Sequence, residues 1–172
     1  MEKAPPPCLK LNTDGAFHNQ YVIAGIGGVL KDDKGEVLWA YTVALPLCLS
    51  AFHAESSALE RALILLSTWN MQQLWIETDS LILCNTISKA AQGNWSIKDV
   101  IVNIHNSLRN ISFHITHVYK EGNKVVDDLA SLGTNSVCLI EFASDSLPLF
   151  VKGLVRVDQL DIPSFRIMRL YK

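Results

Sequence analysis

The sequence has no excess of basic residues: its 172 residues include 15 Lys and Arg against 17 Asp and Glu, a formal net charge of -2. A broad basic surface for nucleic acid is therefore not expected, and a polyanion would have to be bound by a local patch or through a metal ion. The four cysteines also lack the paired spacing of zinc or thioredoxin motifs. We expect reduced, mostly packed thiols in an intracellular protein of the nucleus or cytoplasm that is not secreted.

Long apolar runs are missing as well. The most apolar stretch, residues 37–49, is too short to span a bilayer and contains Pro46. The first residues, MEKAPPP, carry an acid and three prolines where a signal peptide needs an apolar stretch. With 49% hydrophobic and 19% charged residues, the composition predicts one folded core. We interpret residues 1–7 as a Pro-rich leader, 8–135 as the main domain and 136–172 as a helical, mildly basic extension.

The hydrophobic pattern of the main domain changes from period two to helical spacing near Ala54. It first predicts three strands, one ending at Asp14 and the others at 21–30 and 35–45, and then a helix that reaches Trp69. After these it predicts a strand (74–80), two helices (81–88 and 97–108), a strand (111–119) and a helix (123–133). This order is typical of an α/β fold with a five-stranded mixed sheet, three strands antiparallel and two parallel, flanked by helices. A further helix is predicted over residues 148–160.

Three glycines interrupt the second predicted strand, at Gly25, Gly27 and Gly28. They could form a phosphate-binding loop or let another group approach the strand closely. A hairpin turn follows them, whereas a dinucleotide fold requires a helix at that point. The pattern therefore favours close approach.

Acidic residues recur where the predicted elements begin or end. Asp14 is expected to end the first strand, Asp79 to follow the fourth, and Glu55 to start the first long helix, while Asp127 or Asp128 lies in the first turn of the last helix. If the first and fourth strands are parallel neighbours, Asp14 and Asp79 emerge at the same edge of the sheet.

Each acid also has an ordinary explanation. Asp14 could form a turn, Asp79 could cap a helix, and the helical acids could favour a helix dipole. These explanations do not account for several like charges at one side of a sheet, which raise each other's pKa. A divalent cation such as Mg²⁺, which prefers carboxylate oxygens, would account for them.

Four segments, LNTDGA, HAESSALERAL, IETDS and NKVVDDLA, resemble in this order the ribonuclease H domain, specifically the divergent plant form that is similar to the ribonuclease H segment of retroelements. The resemblance implies a ribonuclease H-like fold in which Asp14, Glu55, Asp79 and Asp127 are the catalytic, metal-binding acids. Val126 replaces the usual small residue before the last acid, which leaves Asp128 as an alternative.

The same resemblance implies the reaction. It implies an endoribonuclease that binds two Mg²⁺ ions, with Mn²⁺ as a substitute, and cleaves the RNA strand of an RNA–DNA hybrid to a 3′-hydroxyl and a 5′-phosphate. We assign no nucleic-acid-binding residues, although Gly15 and the glycine-bearing second strand could let the backbone approach a minor groove. We interpret Trp95 as a core residue.

One departure from the family concerns a loop histidine that many ribonucleases H carry before the last acid. Here that loop is shortened to Lys120, Glu121 and Gly122, so slow turnover is expected. We interpret His117 as a structural residue of the fifth strand and His53 as a loop histidine near the site.

Two rival functions follow from the same motifs. One is a catalytically weak or inactive descendant that acts as a nucleic-acid-binding or protein-interaction module. The other is a DNA-transferring or exonuclease member of the superfamily, which the order of the four acids disfavours.

Overall fold

Six strands form one mixed sheet in the computed structural model of the chain, which describes residues 8–18, 23–89 and 97–159. The strands are β1 (Leu9–His18), β2 (Ile23–Lys31), β3 (Val37–Leu45), β4 (Gln73–Thr78), β5 (Ser112–His117) and β6 (Ile140–Ala143). The helices are α1 (Ala51–Leu65), α2 (Leu81–Lys89), α3 (Lys98–Leu108), α4 (Lys124–Gly133) and α5 (Leu149–Gln159), with a 3₁₀ turn at Lys120–Gly122.

The strand order is β5-β4-β1-β2-β3-β6. The antiparallel pairs are β1 with β2, β2 with β3, and β3 with β6. The parallel pairs are β1 with β4 and β4 with β5. The predicted mixed α/β architecture is thus confirmed, including the parallel neighbours β1 and β4. The sixth strand was not predicted, because β6 is only four residues long and lies within the supposed extension. Glu141 of β6 accepts a hydrogen bond from the Trp39 indole of β3 at 2.8 Å. The boundary between the main domain and the extension at residue 135 stays a prediction.

Helices cover both faces of the sheet. Leu11 and Leu30 belong to the core beneath α1, α2 and α3, whereas Val29, next to Leu30 on β2, packs on the other face with residues of α4 and α5. Because successive side chains of a strand point to opposite faces, β2 is apolar along its length. This double burial places α1 and α4 on opposite faces of the sheet.

Two of the three glycines of β2, Gly25 and Gly27, make room for α4, which was not foreseen. A Cβ at Gly25 would overlap the Ala130 carbonyl oxygen, and one at Gly27 would lie 2.8 Å from Leu129 Cβ. At Gly28 the limiting neighbour is the Tyr41 ring, 2.6 Å away. The predicted close approach is confirmed, and its partners are protein groups: α4 at Gly25 and Gly27, and Tyr41 at Gly28.

Two element boundaries differ from the prediction. β1 does not end at Asp14: its parallel pairing with β4 stops at Asn12, but its antiparallel pairing with β2 continues to His18. α1 begins earlier than predicted, because the Ser50 hydroxyl accepts the His53 N–H and caps it, and it ends at Leu65, before Trp69.

Several sequence predictions lie outside the described residues: the leader 1–7, Trp95 and the chain beyond residue 159. The four cysteines are free, with Cys8 and Cys48 buried and Cys138 exposed. Within residues 8–18, 23–89 and 97–159, no helix has both the length and the apolar character of a membrane span.

Candidate functional site

Three carboxylates meet where β1, β4 and α1 come together. Asp14, Glu55 and Asp79 each offer one oxygen, and these oxygens lie within 4.8 Å of one another. Asp14 sits two residues beyond the last parallel pair, Asn12–Glu77, and Asp79 directly follows β4. The sheet edge predicted from the sequence therefore gathers Asp14 and Asp79, although β1 runs on past it.

Glu55 reaches the cluster because α1 presses against β1 at Gly15. A Cβ at Gly15 would lie 2.5 Å from the Ala54 carbonyl carbon and 2.7 Å from the Glu55 nitrogen, so only glycine permits this contact. The first turn of α1 holds no acid, and Glu55 follows that turn. The alternative that Glu55 serves the helix dipole is therefore not supported.

Asp79 does not cap α2. The Ser80 hydroxyl instead accepts the Leu83 N–H at 3.4 Å, which is the hydrogen bond of an N-cap. Asp79 Oδ1 and Glu55 Oε2 are buried without a hydrogen-bond partner. Unpartnered buried carboxylate oxygens are costly, and here they belong to the same cluster.

All three acids have raised pKa values, and burial is the largest cause in each case. Burial, followed by the charge of Asp79, raises the pKa of Asp14 from 3.8 to about 6. Burial and then the charges of Asp14 and Asp79 raise the pKa of Glu55 well above its ordinary value. Burial also raises the pKa of Asp79, against a lowering influence from Lys120. The raised pKa values show that this site disfavours the charged forms of the three acids.

Asp127 lies beside this cluster but has its own counter-ions. Its Oδ1 is 3.2 Å from Lys120 Nζ, and its Oδ2 is 3.1 Å from Lys124 Nζ. The charge of Asp127 nevertheless contributes to the raised pKa values of Asp14 and Asp79. Asp128, the alternative from the sequence, pairs with Lys124 at 2.6 Å. The structure therefore groups three acids tightly and places Asp127 next to them in ion pairs.

Asn123 ties the start of α4 to β1, a role that the sequence analysis missed. Its side chain is buried; the amide donates to the Thr13 carbonyl at 3.2 Å, and its oxygen accepts from Asn12 at 3.3 Å. Its own carbonyl accepts the Asp127 N–H at 3.1 Å. Asn123 therefore connects the strand that carries Asp14 to the helix that carries Asp127. Its position four residues before Asp127 in the NKVVDDLA segment was the available signal.

The two histidines singled out from the sequence have different surroundings. His53 Nδ1 accepts the Leu49 N–H at 3.1 Å, as expected of a satisfied loop histidine. His117 does share the face of Ile115 on β5, but it is exposed rather than packed, and its ring meets Tyr119 edge-on at 5.7 Å. His117 also lowers the pKa of Asp79. The structural interpretation of His117 therefore requires correction: it is a solvent-facing neighbour of the site.

Comparison with known proteins identifies the family of the chain. A family model described as reverse transcriptase-like matches residues 12–133, the segment that holds all four acids. A candidate ribonuclease H protein of Arabidopsis thaliana is 27% identical over 168 residues, which are 95% of this chain. The chain spans only 27% of that curated relative.

Solved structures share the fold. RNase H1 from Halobacterium salinarum NRC-1 superposes with a TM-score of 0.67 at 22% identity, covering 73% of this chain and 96% of the other. LC11-RNase H1, solved in complex with an RNA/DNA hybrid, gives a TM-score of 0.67 at 21% identity and covers 74% and 96% of the two chains. The ribonuclease H-like fold and the resemblance noted in the sequence are confirmed.

Proposed function

The chain belongs to the reverse transcriptase-like family, and from that membership we propose that it is a metal-dependent endoribonuclease that cleaves the RNA strand of RNA–DNA hybrids. The single observation that carries the proposal is the buried cluster of Asp14, Glu55 and Asp79. Its three oxygens lie close enough to share one cation, and a stable fold without a cation-binding role gains nothing from that repulsion.

The residues fit a divalent cation. All three donors are carboxylate oxygens, which hard cations such as Mg²⁺ and Mn²⁺ prefer. The two buried oxygens without a partner, Glu55 Oε2 and Asp79 Oδ1, would gain one. We propose that Asp14, Glu55 and Asp79 hold the cation and that Asp127 completes the site for a second ion. When bound, Mg²⁺ supplies activation of water and stabilisation of the leaving oxygen.

The chain's own residues position the reacting groups. Asp14 lies beside Glu55 and Asp79, and the Gly15 N–H donates to its Oδ1 at 2.8 Å, which fixes the carboxylate. Asn123 holds α4 against β1 and so sets where Asp127 lies. In the proposed hydrolysis a water oxygen bonds to phosphorus and the bond from phosphorus to the 3′ oxygen breaks. The products are a 3′-hydroxyl and a 5′-phosphate.

The substrate partner in this proposal is an RNA–DNA hybrid. One of the similar structures, LC11-RNase H1, was solved with such a hybrid, and its fold is shared by this chain. Selection of the RNA strand requires contacts to 2′-hydroxyl groups. An intracellular location, in the nucleus or cytoplasm, stays a prediction from the cysteine usage.

The test is cleavage of an end-labelled RNA–DNA hybrid by purified protein in Mg²⁺, with EDTA as the blank. We expect cut RNA, intact DNA, and no cutting of single-stranded RNA. Asp14→Asn should reduce cleavage to the blank, whereas the matched control Asp145→Asn, an exposed acid in the turn after β6, should leave it unchanged. Cleavage that persists in Asp14→Asn would refute the assignment.

The second candidate is a non-catalytic module that binds nucleic acid. The observation that favours it is the ion pairing of Asp127 with Lys120 and Lys124, which engages both of its oxygens. This candidate predicts that the protein binds the hybrid in a gel-shift experiment. In the cleavage assay it predicts no cut RNA in either Mg²⁺ or Mn²⁺.

A further inference from the structure

We propose that Lys120 and Lys124 are positioning residues that hold the Asp127 carboxylate and compete with a divalent cation for it, so that Asp127 becomes a metal ligand only after these ion pairs open. The inference rests on the proposed function, because it takes Asp127 as a ligand of that site. It adds the two residues that control when this ligand is available.

The first argument is the occupancy of the two carboxylate oxygens. Lys120 takes Oδ1 of Asp127 and Lys124 takes Oδ2, at 3.2 and 3.1 Å. The oxygens of Asp14, Glu55 and Asp79 have no such lysine contacts among the ion pairs of the described residues. A cation that binds either oxygen of Asp127 therefore lies next to an ammonium group, and the repulsion between the two positive charges favours opening of that ion pair.

The second argument is that the backbone builds this arrangement. Lys120 begins the 3₁₀ turn, Lys124 begins α4, and the buried Asn123 stands between the two elements. The Asn123 N–H donates to the Lys120 carbonyl at 3.0 Å, and the Asp127 N–H donates to the Asn123 carbonyl at 3.1 Å. Both lysines are thereby held on the same side of α4 as Asp127, by the residue that also anchors β1.

The third argument is that the pairs can open. The side chains of Lys120 and Lys124 are 67% and 51% exposed, and exposed ion pairs are weak. Lys124 also contacts Asp128 at 2.6 Å, so it keeps a carboxylate partner when Asp127 leaves. Asp128 thus receives a role as the alternative partner of Lys124.

The experiment is a double-mutant cycle that measures Mn²⁺ binding by calorimetry at pH 8, without nucleic acid. Lys120→Gln should bind Mn²⁺ about two- to fivefold more tightly than wild type, the range set by the weakness of exposed ion pairs. In an Asp127→Asn background the same change should have less than half of this effect. Lys120→Arg, which keeps the pair, should match wild type, and Lys152→Gln in α5 controls for removal of one positive charge.

An equal gain from Lys120→Gln in both backgrounds would overturn the inference, because the lysine would then act only through its general field. No gain in the wild-type background would overturn it as well. Failure of the proposed function looks different: wild type would bind no Mn²⁺, or would leave the RNA–DNA hybrid uncut while binding the ion. If wild type binds Mn²⁺ and cleaves the hybrid but Lys120→Gln does not change the affinity for Mn²⁺, this inference fails and the proposed function stands.

Discussion

Asp14→Asn should stabilise the metal-free protein at neutral and alkaline pH. In the folded state Asp14 is 4% exposed, and its pKa is raised from 3.8 to about 6 by burial and by Asp79. A proton on Asp14 therefore favours folding, and this stabilisation is present below pH 4 and lost as the pH rises through 6. A difference of about two pKa units corresponds to ~3 kcal/mol. Asparagine is uncharged and can still accept the Gly15 N–H, so it removes this penalty.

The assay is urea unfolding of wild type and Asp14→Asn in EDTA between pH 4 and pH 8. The variant should exceed wild type by up to about 3 kcal/mol at pH 8 and by well under ~1 kcal/mol at pH 4, with most of the change between about pH 4 and pH 6. Added Mg²⁺ should stabilise wild type more than the variant. A variant that is less stable than wild type at pH 8, or a difference that does not vary with pH, would refute the electrostatic reasoning.

Three further substitutions test the surroundings of the site by urea unfolding. Glu77→Gln should destabilise the protein by about 3 kcal/mol, because the Glu77 carboxylate lies 2.9 Å from the buried Lys10 ammonium. This effect is opposite in sign to that of Asp14→Asn, and a gain in stability would contradict it. Gly25→Ala should lower the stability by about 3 kcal/mol, because the added methyl group pushes α4 from the sheet. In the control Gly153→Ala, in α5, the new Cβ meets nothing within 4 Å, and the stability should rise by ~0.5 kcal/mol. Equal effects would refute the packing argument. Asn123→Ala should cost about 2 kcal/mol and slow hybrid cleavage, and full activity would exclude its positioning role.

Apart from β6, the sequence was sufficient for the mixed α/β architecture, because the strands and helices differ in hydrophobic period. It also placed Asp14 and Asp79 at one edge, since parallel neighbours end on the same side of a sheet. It could not show that β1 continues to His18, because Gly15 and Ala16 carry no alternating apolar signal. The short β6 was missed for a similar reason: it depends on pairing with β3 rather than on its own pattern.

The partners of the loops and glycines could not be predicted from local pattern. The sequence indicated that something approaches β2 closely, but only the fold identifies it as α4 at Gly25. Lys120 and Lys124 looked like ordinary charges of a shortened loop and a helix start. Their contact with Asp127 depends on how the 3₁₀ turn joins α4, which is set by the buried Asn123.

The central claim is that Asp14, Glu55 and Asp79 together bind a divalent cation. The most direct test is a crystal structure of the protein soaked in Mn²⁺, with an anomalous difference map. The account predicts a peak at coordination distance, about 2.0–2.3 Å, from a carboxylate oxygen of each of these three residues. A map without a peak between them, or with the three carboxylates turned apart and the ion bound elsewhere, would contradict it.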